Sequence, residues 1–86
     1  MGKITTQGRI TILLGQRQVD TGERWSLRHL AQVAEVPKDM VYRIDAGEAR
    51  YIDLRALARL CDTLQCHSGD ILVWGDGDNG YGDESL

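Results

Sequence analysis

A single proline, Pro37, stands in the middle of LAQVAEVPKDMVYRI, Leu30 to Ile44, a run whose apolar residues otherwise keep helical spacing. Inside a helix, proline removes one backbone hydrogen bond and its ring collides with a carbonyl one turn earlier, so one continuous rod cannot hold this segment. At a first helical position the same residue costs nothing, because that N–H has no partner anyway and its fixed φ is already helical. The run therefore reads as two helices sharing a tight turn. Ser26 is the N-cap of the first, which ends near Ala34 with Leu27, Leu30, Ala31 and Ala34 on one face. Glu35 and Val36 turn the chain. The second helix runs from Pro37 to about Ala46, with Val41 and Ile44 inward and Gly47 as its stop.

The flanking segments supply the remaining body. KITTQGRITILL is rich in β-branched residues, yet Ile10, Leu13, Leu14 and Arg17 suit an amphipathic helix. We expect an extended piece near residues 3 to 6 and a helix from Arg9 to Val19. The polar DTGER forms a loop, and Trp25 closes it by packing its ring under the next element. Beyond the exposed GEARYI, Asp53 caps a helix over LRALARLCDTLQ, whose expected buried stripe is Leu54, Leu57, Ala58, Cys61 and Leu64. A last helical turn around Gly69 to Leu72 leads to ILVW, placed to finish as a strand against the N-terminal piece. The fold class is all-α: a compact bundle of about five short helices containing a helix-turn-helix, with a small N-/C-terminal strand pair. Residues 1–8 form an N-terminal arm, 9–74 the domain and 75–86 an acidic tail expected to be disordered.

With 86 residues the chain has room for one domain. Its net charge of −3 argues against a nucleic-acid binder until it is divided. Residues 1–75 hold all ten Lys and Arg against nine Asp and Glu, which is +1; Asp76, Asp78, Asp83 and Glu84 place −4 in the tail. No stretch approaches the roughly 20 apolar residues of a membrane span, and the start lacks the apolar core of a secretory signal, so a cytoplasmic protein is expected. Cys61, Cys66 and His67 fall short of the about four ligands in paired spacing that zinc requires, so free thiols and no metal site are expected. GDGDNG meets the register of a calcium loop only in part, through Asp76, Asp78 and Gly80 about one place out, and no helix or twelfth-position Glu follows. With two histidines, no glycine-rich phosphate loop and no nucleophile beside a base, neither an enzyme nor a cofactor is expected.

Two helices joined by a short turn, the second short and exposed, is the geometry of a helix-turn-helix. The spacing of Leu30-Ala31, Val36, Val41, Ile44 and Asp45-Ala46-Gly47, followed by IDLRALARLCDTL and SGDIL, resembles the Cro/repressor-type (Xre family) helix-turn-helix domain. That family's pattern runs approximately LA-x3-G-[IV]-S-x3-[IV]-x2-[LI]-E-x-G, and the resemblance covers about residues 9 to 73. It implies a lambda-repressor-like bundle that binds double-stranded DNA. The departures are local. Glu35 replaces the turn glycine, Pro37 the usual Ser or Thr cap, Leu27 a phosphate-contacting glutamine, and SGD the usual PGD; the loop before Ser26 is longer.

With Val41 and Ile44 inward, Lys38, Asp39, Tyr42 and Arg43 fall on or beside the outer face, and the resemblance places those positions on base edges. Lys38 or Arg43 suits the O6 and N7 of guanine, Asp39 a cytosine amino group, and Tyr42 a thymine methyl. Backbone contacts are expected from Ser26 and Arg28 at the start of the bracing helix and from Arg50 and Tyr51 after the second helix. Asp45 is expected to be structural, paired with Arg9 or Arg17. A domain of +1 offers few phosphate donors, so specific binding calls for a homodimer on two half-sites. Its surface is expected to be the first helix or the end around Leu72 and Trp74. The first functional reading is a transcriptional regulator, a repressor, using residues 37–46. The alternative is an antitoxin or adaptor that keeps the fold and uses its acidic tail or its recognition surface on a protein partner, motivated by Asp39, Glu48, the missing glutamine at Leu27 and the −4 tail.

Overall fold

The computed structural model describes residues 2–75. In chain order the elements are β1 (Lys3–Thr5), α1 (Arg9–Thr21), α2 (Leu27–Ala34), α3 (Lys38–Ala46), α4 (Leu54–Leu64), α5 (Ser68–Ile71) and β2 (Val73–Gly75). The strands pair antiparallel with Lys3 opposite Gly75, Ile4 opposite Trp74 and Thr5 opposite Val73. This all-α bundle with its two-stranded clasp has the expected architecture, and α1 extends two residues past Val19. Gly75 lies in β2, one residue inside the segment assigned to the tail. Residues 76–86, on which the rest of that expectation falls, lie outside the described residues.

Each helix end carries its own stop. Ser26 Oγ accepts from His29 N at 3.0 Å, and Asp53 Oδ1 accepts from Arg55 N at 2.9 Å, so α2 and α4 begin where their side-chain caps sit. At the end of α2, Glu35 adopts the left-handed region at φ 59° and ψ 47°. Its N–H reaches Gln32 O, and Val36 N donates to Ala31 O at 3.0 Å. This is the Schellman pattern that a glycine ordinarily serves. The turn keeps its usual backbone shape and imposes it on a residue with a Cβ. Pro37 stands one place earlier than expected: it is the N-cap of α3, with ψ 134°, and its carbonyl accepts from Met40 N at 3.1 Å. It has no side-chain acceptor to offer, so the carbonyl and the fixed φ carry the start.

The core joins all five helices. Ile10, Leu30, Val41, Ile44, Leu60 and Ile71 are fully buried, and each such side chain contributes about 1.5–3 kcal/mol of transfer free energy. Trp25 and Leu27 pack half-buried against this cluster, as expected. Trp25 is also covered by Arg17, whose guanidinium carbon sits 4.1 Å from the ring centroid, and it meets His29 edge-on at 4.9 Å.

Two expectations are corrected. In α4 the buried residues are Ala56, Leu57, Leu60 and Leu64, whereas Leu54 and Ala58 are exposed and Cys61 is half-buried. Apolar residues surround much of this helix, so periodicity alone left its rotation open, and packing on α2 decided it. Asp45 does not pair with Arg9 or Arg17. Its carboxylate accepts from Thr11 N at 2.9 Å and Thr11 Oγ1 at 2.6 Å, while its carbonyl accepts from Gly8 N at 2.8 Å. Gly8, the N-cap of α1, has no side chain with which to cap it, and Asp45 performs that service from α3. Arg9 instead donates through Nε to Asp70 O at 2.8 Å.

Candidate nucleic-acid interface

The position of α3 is set by three attachments. Val41 and Ile44, both 0 % exposed, anchor its inner face. Its C-terminal end is tied to the start of α1 through Asp45 and through Thr6 Oγ1, a buried hydroxyl donating to Ile44 O at 2.6 Å. Beyond Ala46, Gly47 takes φ 78° and closes the helix, with Glu48 N donating to Arg43 O at 2.9 Å. A Cβ at Gly47 would come within 2.9 Å of the Gln7 Cβ, so both conformation and space require glycine there. At the other end, the α2–α3 turn is tied to the body by Arg59 Nη1, which donates to Glu35 O at 3.1 Å.

With the inner face fixed, the outer one follows from a period of 3.6 residues. Lys38, Asp39, Tyr42 and Arg43 are all exposed, Tyr42 at 43 %. Asp39 lies in the first turn and Arg43 in the last, each where the helix dipole favours its charge. Asp39 thus has a stabilising role whether or not it touches a ligand. Ser26, Arg28, Arg50 and Tyr51 are exposed too, Tyr51 at 92 %. The Ser26 oxygen already accepts from His29 N, leaving its O–H to donate outward.

These eight positions divide into three groups. Asp39, Arg43, Arg50 and Tyr51 line one cleft with Met40 and Glu48, between α3 and the following loop. Lys38 and Tyr42 lie on the rod outside that cleft, and Ser26 and Arg28 belong to the beginning of α2. Sequence reasoning did not place Lys3 and Gln7 near this surface. They line a second cleft with Arg50, Gly47 and Ala49, which joins β1 to the edge of this surface. Nothing in the local sequence signals this, because β1 is brought there by its pairing with β2, some seventy positions away.

Among the described residues, no group of three or more His, Cys, Asp or Glu is placed to hold a metal ion. The two cysteines are free. Burial, the neighbouring Cys61 and Asp70 push the Cys66 thiol up to about 12. No helix among the described residues is long and apolar enough to cross a membrane.

A braced, outward-facing helix following a tight turn, held in a five-helix body, defines a helix-turn-helix domain. The family model of the Cro/C1-type HTH DNA-binding domain matches residues 9–77, and the chain belongs to that family. Neither the curated proteins nor the solved structures give a match to it.

Proposed function

We propose that this chain is a sequence-specific transcriptional regulator of the repressor type, acting by occupying promoter DNA as a homodimer. On this reading α3 enters the major groove, and Lys38, Asp39, Tyr42 and Arg43 meet base edges. Ser26, Arg28, Arg50 and Tyr51 fix the register on phosphates. The observation that carries the reading is the two-sidedness of α3: Val41 and Ile44 are sealed in the core while every one of the four polar readers is exposed. Arg43 is the strongest reader, since its planar fork matches guanine O6 and N7, whereas Asp39 discriminates by accepting from cytosine and repelling phosphate.

The test is a selection of bound duplexes from a random pool, followed by fluorescence anisotropy. Arg43→Ala is expected to lose preference at one base pair at a cost of about 1–3 kcal/mol. Arg50→Ala is expected to weaken all sequences alike and to reduce the slope of log K against log salt by about 1. A folded protein that shows no salt-sensitive binding at low salt would sink the proposal.

One observation favours a second reading as a protein-binding adaptor. Asp39 and Glu48 stand in the same cleft as Arg43 and Arg50, giving that surface mixed charge. Retention of a co-purifying protein by Arg43→Ala, together with absent DNA binding by the parent chain, would select it.

A further inference from the structure

The rotation of α4 leaves an apolar strip outside the core. Leu54, Ala58 and Cys61 recur at the four- and three-residue spacing that keeps side chains on one face. Leu54 is 77 % exposed, Ala58 is exposed, and Cys61 is half-buried. The strip continues into a shallow groove bordered by Leu57, Cys66 and His67. Along its outer margin stand Arg55 and Asp62, both exposed and seven positions apart, hence on the same side of the helix.

We propose that this face seats a second copy of the chain, with α4 antiparallel to its counterpart across Ala58 and Cys61. Charge decides the occupant. In an antiparallel two-fold contact, Arg55 of one copy faces Asp62 of the partner subunit, and symmetry repeats the pair with the roles reversed. In a parallel pair the two copies of this margin fall on opposite flanks of the seam, so neither charge meets its opposite. Opposite charges one seam repeat apart are what a surface complementary to itself requires. Ala58, small and central, lets the two helix backbones approach closely. This contact supplies the pairing that the two-half-site reading requires, yet association is measured without DNA, so either can fail alone.

Sedimentation equilibrium on the full chain tests the proposal. The parent chain is expected at about twice its 9.6 kDa monomer mass, and Ala58→Glu at the monomer mass. Arg55→Asp and Asp62→Arg are each expected to raise the dimer Kd about tenfold or more, and the double variant to return it to within about threefold of the parent. Leu54→Lys replaces Ala58→Glu should that variant lose its helical circular dichroism. A parent chain monomeric at the highest soluble concentration, a dimer indifferent to the seam variants, or single charge reversals that the double variant does not rescue would each overturn the inference.

Discussion

Glu35 holds a left-handed backbone conformation that costs a residue with a Cβ about 1–2 kcal/mol, and the turn it closes sets the angle between α2 and α3. Among the described residues its side chain forms no hydrogen bond that offsets the strain; the Arg59 contact is to its carbonyl. Glu35→Gly removes the strain but gives up some unfolded-state restriction, so a net stabilisation of about 0.5–1 kcal/mol is expected. In a domain of this size that is a rise of several degrees in Tm, readable by thermal melts followed by circular dichroism. Glu35→Val should lower it, because a β-branched residue tolerates that backbone least. At Cys66 the effect depends on pH. Burial and the thiol of Cys61 favour its neutral form in the fold, raising the folded pKa from 9.0 to about 12. Below the unfolded value both states are protonated and full stability is kept; as pH rises between the two values, only the unfolded thiol ionises and stability falls. Urea titrations are therefore expected to show a loss above about pH 9 that is smaller in Cys66→Ser.

Between elements, Asp45 ties the end of α3 to the start of α1. Its carboxylate caps α1 at Thr11, so Asp45→Ala is expected to lose about 0.5–2 kcal/mol of stability, the range for an N-cap. Because the same contact fixes the end of α3, DNA affinity should fall more than the change in folded fraction explains, measured well below the melting midpoint. Asp45→Asn, which can still accept from Thr11 N, should recover part of both. This contact also marks where the sequence stopped being legible. The break at Pro37, the caps at Ser26 and Asp53 and the stop at Gly47 are local, and the elements they bound were readable from neighbouring residues. So was the outer face of α3, since Val41 and Ile44 leave only one orientation. The Asp45–Thr11 cap joins residues 34 positions apart, and an acid with two arginines available offers no local reason to choose a threonine. The face of α4 was ambiguous for a different reason: Leu54, Ala58 and Cys61 make as good an apolar stripe as the one that became the core.

At the scale of the whole molecule the question is how a chain of net charge −3 approaches a polyanion. Four of its thirteen acids lie within residues 76–86, and removing that segment leaves a net charge of +1. Counterion release scales with the phosphates neutralised, so the few lysines and arginines around α3 give a modest attraction that tethered carboxylates oppose by competing for the same cations. Truncation after Gly75 is therefore expected to tighten nonspecific DNA binding roughly tenfold at low salt, with the gain shrinking as salt shortens the Debye length toward about 8 Å at 0.15 M. Preference among sequences should not change, since the proposed base readers Lys38, Asp39, Tyr42 and Arg43 all lie outside the removed segment. Anisotropy titrations of parent and truncated chains against one selected and one random duplex, at two salt concentrations, separate the contributions. Equal tightening on both duplexes identifies an electrostatic brake. Tightening on the selected duplex alone would mean the acidic segment acts at the reading face itself, and loss of a co-purifying protein with unchanged DNA affinity would assign its charge to that partner.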